Sequence, residues 1–220
     1  MITKWSEMPL GVLMQMNDIN NLPVSDEEKT FMAASLLAGM DYKEFMDLPI
    51  PEAREIVAQT DWVRTPPEKK KVEKEYKIGT RTYRLFKDIM NITTAQYIDY
   101  QGIITQGIEN NLAELMGIVL IPEGHNYNEG YEKEEIIDEI RDNLNVEEAL
   151  SIADFFTTKF AKLMKRTMMR LEAQITAQRI MAKKGENKEK IRAMELEMKL
   201  LAEEVRRYMS GCNWWKQWPR

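Results

Sequence analysis

The chain has 220 residues, 44% hydrophobic and 30% charged, a composition ordinary for a soluble protein and long enough for one sizeable core or two small ones. Its 31 basic residues stand against 36 acidic ones, with a sequence pI near 5.2, so no global positive field holds it on nucleic acid or on an anionic membrane. One cysteine and one histidine exclude a disulfide framework and any Cys-rich or His-rich metal site built within one chain.

The first predicted element is a short apolar helix over Pro9 to Met16, with Pro at the first helical position and Leu10, Val12, Leu13, Met14 and Met16 following. Asn17 to Asn21 reads as a linker. Ser25 with Glu28 forms a capping box, Phe31, Met32, Ala34, Leu36 and Leu37 supply a buried helix, and Gly39 ends it in a left-handed conformation. Asp41 with Glu44 starts a short helix through Leu48, and Pro51 starts another to about Thr60. Residues 1–65 are therefore expected to form a cluster of small helices.

Thr65-Pro66-Pro67 and the charged run Glu68 to Lys71 mark a boundary, beyond which the apolar period changes from helical to alternating. Tyr76 and Ile78 flank Lys77, Tyr83 and Leu85 flank Arg84, and Gly79-Thr80 lies between, which predicts one β-hairpin over about residues 72–86. Thr93 to Gln96 is a second capping box, opening a helix whose apolar side is Tyr97, Ile98 and Ile103. The next helix carries Ile108, Leu112, Leu115, Met116 and Val119 and stops at Pro122. Glu123 to Gly130 is loop.

An acidic helix over Glu132 to Arg141 places Ile136, Ile137 and Ile140 on one side, and Asn145 with Glu148 opens the next. No Pro or Gly occurs from Val146 to Lys183, while Ile152, Phe156, Phe160, Leu163, Leu171 and Ile175 recur at helical spacing. After Gly185, residues Ile191, Met194, Met198, Leu201, Val205 and Tyr208 follow the a/d spacing of a coiled coil. The expected fold is mainly α: a multi-helix body, one small β-hairpin, and long C-terminal helices forming a helical hairpin or coiled coil. The expected domains are residues 1–65, 66–145 and 146–210, with a Trp-rich tail at 211–220.

Catalytic signatures are sparse. The carboxylates of Glu132 to Asp142 lie along one charged helix instead of opposing each other across a cleft. His125 has no second His or Cys nearby, and Cys212 lacks the base that nucleophilic chemistry requires. No G-x-G-x-x-G, G-x-x-x-x-G-K-[ST] or H-E-x-x-H occurs. The reading is of a non-enzymatic chain without cofactor or metal. No stretch approaches about 18 consecutive apolar residues, and the N-terminus lacks the layout of a secretory signal, so a reducing, cytosol-like compartment is expected.

Charge and methionine point towards binding instead. Glu132 to Glu148 carries eight acids against two bases, and Lys159 to Arg192 eleven bases against three acids. The basic stretch can meet an acidic protein surface or track phosphates. Sixteen methionines supply the flexible apolar surface of adaptable cores and binding grooves. The candidate protein-binding residues are Met194, Met198, Leu201, Val205 and Tyr208 on the last helix, with Trp214, Trp215 and Trp218 in the tail as interface anchors.

The order of features adds a resemblance. Trp5 to Leu10, then Tyr76 to Tyr83, Ile92 to Asp99, Leu112 to Pro122 with Tyr127-Asn128, and Ala149 to Phe156 resemble a group of tailed-bacteriophage proteins encoded among virion genes. Members of the group are described as tail-assembly chaperone-like. The likeness covers about residues 5–165 through short, degenerate motifs, and no family site residue transfers. It implies an assembly factor in the host cytoplasm that binds a phage structural protein, or else a component retained in the virion as a ring, tail or lumen protein. A homo-oligomer fits either case. A nucleic-acid-binding module using residues 159–192 is a further alternative.

Overall fold

The computed structural model describes residues 1–88, 91–182 and 188–211. The protein is mainly α-helical with a three-stranded antiparallel sheet. Two compact units are present, Met1–Ala153 and a second from Asp154 onward; α8 contributes to both.

In the first unit, α1 (Leu10–Asn21) starts after Pro9, which takes the N-cap position. The helix continues through Asn17 to Asn21, where the sequence reading placed a linker. Its second half is held by tertiary bonds: Asn17 Nδ2 donates to Asn110 Oδ1 at 2.7 Å, and Lys29 Nζ donates to the Asn20 carbonyl at 2.9 Å. The lysine satisfies a carbonyl that a helix C-terminus otherwise leaves without a partner.

In α2 (Asp26–Ala38), the Ser25 side chain accepts from the Glu28 amide and Gly39 closes the helix at φ 70°. Ala34 and Leu37 are buried, while Phe31, Met32 and Leu36 are only half-buried. Asp41 caps α3 (Tyr42–Met46), and α4 (Ile50–Gln59) carries Pro51 in its first turn. Trp5 packs edge-on against Trp62 with ring centroids 5.2 Å apart and donates from Nε1 to the Thr65 carbonyl at 2.7 Å. These contacts fasten the two ends of the helical cluster together.

Strands β1 (Glu75–Ile78) and β2 (Arg81–Leu85) pair in the register Glu75↔Arg84 and Ile78↔Arg81. Tyr76, Ile78, Tyr83 and Leu85 all point to the buried side, as period-2 patterning requires. Gly79 has a positive φ of 54°, the conformation a two-residue hairpin turn needs at its first position. The hairpin is not alone. A third strand, β3 (Leu120–Pro122), pairs antiparallel with β2 through Tyr83↔Pro122 and Leu85↔Leu120. The apolar run read as the end of a helix thus divides into a helix and a strand.

The helix α5 (Thr94–Gln106) opens with the full reciprocal capping box of Thr93 and Gln96. Its buried face is Gln96, Tyr100 and Ile103; Ile103 is buried as expected, whereas Tyr97 and Ile98 stand exposed. Gln96 belongs inside because its Nε2 donates to the Ile118 carbonyl at 3.1 Å in a buried bond, which offsets the cost of burying the amide.

The centre of the unit is α6 (Leu112–Val119), in which every residue but Glu114 is buried; a helix apolar on nearly all sides belongs inside a core. It packs against α7 (Lys133–Asn143), whose Ile136 and Ile140 are buried. The approach is close: a Cβ on Gly117 would come within 2.9 Å of Ile137. Beyond α7, the chain pairs with the start of α1, as the Leu10 amide donates to Leu144 O at 2.8 Å and the Val146 amide to Met8 O at 2.9 Å.

Then α8 (Val146–Ala182) runs unbroken for 37 residues, about 55 Å at 1.5 Å per residue. Asn145 opens it, accepting from the Glu148 amide at 3.0 Å and donating to the Glu148 carboxylate at 2.6 Å. In the second unit, Phe156, Phe160 and Ile175 of α8 are buried. The last helix is α9 (Lys188–Gly211). Among the described residues, no helix is long and apolar enough to cross a membrane.

Candidate protein-binding surface

The predicted binding residues fall on α9 and the tail. Met194 and Met198, four residues apart on one side of the helix, are each half-buried. The side chains of Leu201, Val205 and Tyr208, together with Trp214, Trp215, Trp218 and Cys212, lie outside the described residues. The sequence reading missed a second pair. Leu196 and Leu200 are 60% and 59% exposed, also one helical turn apart and on the side away from the two methionines. The signal was available as an i, i+4 leucine pair, but the a/d pattern passing through Met194 and Met198 masked it. Among the α9 residues whose side chains are described, residues 189, 192–200, 202 and 203, none is buried.

Three polar clusters lie in the first unit. In the first, Asp99 Oδ2 on α5 accepts from the Tyr127 hydroxyl at 2.5 Å and from Lys133 Nζ at 2.6 Å. Burial raises the affinity of the Asp99 carboxyl for its proton, but the two donors outweigh it and hold the group below the ordinary aspartate range. Burial and then the neighbouring carboxylate push the Tyr127 hydroxyl far above its usual value. The cluster is a clamp, joining α5, the 123–130 loop and the first turn of α7. Asp99→Asn is expected to cost about 1–2 kcal/mol at neutral pH, because it removes a charge-assisted acceptor from two donors that are only partly accessible. Parallel urea unfolding of the two proteins checks this.

The second cluster ties the hairpin tip to α7. Glu139 accepts from the Thr80 amide at 2.9 Å, the Thr80 hydroxyl at 3.0 Å and the Tyr83 hydroxyl at 2.6 Å, and pairs with Arg81 at 3.3 Å. Burial alone would raise its pKa; the Tyr83, Thr80 and Arg81 contacts together lower it. The close approach explains Gly79, where a Cβ would lie 2.6 Å from the Glu139 carboxylate.

The third cluster fixes the 65–74 segment on α8. The Lys70 amide donates to Ser151 Oγ at 2.8 Å, and its Nζ lies 3.1 Å from Glu147 Oε2. Glu148, one residue on, is raised above the ordinary glutamate range by burial, against the hydrogen bond from Asn145.

A cleft of about 410 Å³ lies beside the second cluster, lined by Arg81, Thr82, Glu123, His125, Tyr131 and Glu135 among others. Its arginine is already paired with Glu135 at 3.2 Å and with Glu139. His125 sits edge-on to Tyr131, with centroids 5.9 Å apart. Among the described residues, no group of three or more His, Cys, Asp or Glu side chains is placed to hold a metal ion. Each of the three clusters has its charges and hydroxyls turned on one another, so what they do chemically is to hold elements in register. Leu196 and Leu200 of α9 face outward, as do Ile50, Ile98 and Met169 elsewhere in the chain. Compared with protein families, with curated proteins and with solved structures, the chain finds no match.

Proposed function

We propose that the chain is a non-enzymatic bacteriophage assembly protein, a tail-assembly chaperone-like factor that holds a virion protein through its C-terminal helices. The supporting observation is that Met194, Leu196, Met198 and Leu200 stand along a 24-residue helix, and that over residues 192–200 none of its side chains is buried. A helix of that length draws its stability from covering an apolar face, and apolar residues left open on it mark the place for a partner. The virion context rests on the resemblance of residues 5–165. In this reading the a/d positions Met194, Met198, Leu201, Val205 and Tyr208 form a helical hairpin or coiled-coil seam, and the Trp-rich tail adds anchors.

The double substitution Leu196→Asp/Leu200→Asp tests the reading without touching a core. Covering an exposed leucine is worth about 1.5–3 kcal/mol, so affinity for the captured virion protein should fall about 30-fold or more. The variant should keep its circular dichroism spectrum and melting temperature. Undiminished capture by a correctly folded variant, and by Met198→Asp/Leu201→Asp on the seam, contradicts the assignment of α9.

A further inference from the structure

The stretch of α8 from Lys159 to Arg170 carries five cations, Lys159, Lys162, Lys165, Arg166 and Arg170, and from Phe155 to Leu171 it contains no acid at all. Every one of the five is exposed. On an ordinary solvated helix, acids stand three or four residues from the bases and form stabilising pairs. Here none does. Lys162 and Arg166, and Arg166 and Arg170, are instead like-charged i, i+4 neighbours, an arrangement that weakens the helix carrying it. At 100° per residue, Lys159, Lys162, Arg166, Met169 and Arg170 share one face, with Lys165 at its edge. That face lies away from the buried Phe160 and Ile175 and borders the buried Phe156. Near its C-terminal end stands Met169, 60% exposed, and at its N-terminal end Lys159 Nζ sits 4.3 Å from the Phe155 ring centroid.

We infer that this face is a docking surface for an acidic amphipathic helix of a partner protein. Carboxylates of the partner neutralise the like-charged rows, and an apolar side chain covers Met169, a flexible thioether suited to irregular apolar contact. The face spans about 17 Å, or three turns of a partner helix. A nucleic acid would satisfy the cations but not the exposed methionine beside Arg166 and Arg170, and the chain as a whole carries a net charge of −5, which repels a phosphate backbone. The inference stands on α8 alone and does not require capture by α9.

The test uses the full-length chain and a labelled synthetic peptide of residues 132–148, whose eight acids, two bases and isoleucines provide the required chemistry. Fluorescence anisotropy is read at low and at high salt, beside the same peptide with every Asp and Glu amidated and a labelled DNA duplex of about 30 base pairs. The acidic peptide should bind at low salt and weaken at high salt, and the amidated one should not bind. Lys162→Glu/Arg166→Glu should reduce its affinity at least about tenfold; Met169→Ser should weaken it several-fold without changing the salt dependence. Both variants alter exposed positions, and the milder Lys162→Gln/Arg166→Gln should fall between wild type and the charge reversal. Absence of peptide binding at low salt, an affinity unmoved by the charge reversal, or tighter binding of the duplex than of the peptide would each overturn the proposal.

Discussion

Leu115→Ala should lower the stability of the first unit by about 2–5 kcal/mol, the cost of removing a leucine from a packed core and leaving part of the space unfilled. Leu115 is fully buried at the middle of α6, where Leu112, Met116, Ile118 and Val119 are buried too. Because that helix is enclosed on nearly every side, no solvent-facing side chain is free to swing into the gap. Against a typical total of about 5–15 kcal/mol, the loss is large enough to move the urea midpoint of the tryptophan fluorescence transition well outside error. A loss below about 1 kcal/mol would mean that α6 is not the centre of the core.

Glu139→Gln should be the most damaging single change among the polar residues, at about 2–4 kcal/mol near neutral pH. The carboxylate is the common acceptor for Thr80 and Tyr83 and the counter-charge of Arg81, and its side chain is only 14% exposed. A glutamine keeps the shape but has one acceptor oxygen where there were two, and no charge. The effect has a defined pH dependence. The folded-state pKa of Glu139 is depressed, so its contribution is fully present above the unfolded value, about 4.3, and is lost as the pH falls through the depressed folded value. The stability gap between wild type and Glu139→Gln should therefore close in acid. Asp99, also depressed, follows the same direction, whereas Glu148, raised by burial, opposes it. A gap independent of pH would show that the carboxylate charge is not what holds the hairpin to α7.

The parts of the fold legible in the sequence are those specified locally. The Thr93–Gln96 capping box, the αL glycine at Gly39 and the Gly79-Thr80 turn each depend on residues within a few positions of one another, and each stands where its pattern put it. The errors share the opposite property. Strand β3 is three residues, all buried, so it lacks the alternation that identifies a strand, and it continues the apolar run of α6 without a break. The Asn-rich end of α1 is helical because Asn110 and Lys29, far away in sequence or on the next helix, provide the bonds. Burial of Gln96 in place of Tyr97 depends on a single carbonyl, that of Ile118.

The proposed binding surface was legible in part. The a/d spacing drew attention to α9, but periodicity counts apolar residues and does not say which of them the fold covers. Exposure of Leu196, Leu200 and Met169 appears only once the helices are placed. The uninterrupted basic row of α8 was visible as a charge excess over Lys159 to Arg192, yet its concentration on one face required a continuous helix, which 37 residues without a break provide.

The proposed assembly role is tested most directly by quantitative mass spectrometry of purified particles and of infected-cell lysate, scaled to the major capsid and tail proteins, from the phage source that the proposal requires. An assembly chaperone should be abundant in the lysate, bound to a virion protein, and absent from finished particles. A fixed copy number per particle would contradict that account and make the chain a structural component of the virion.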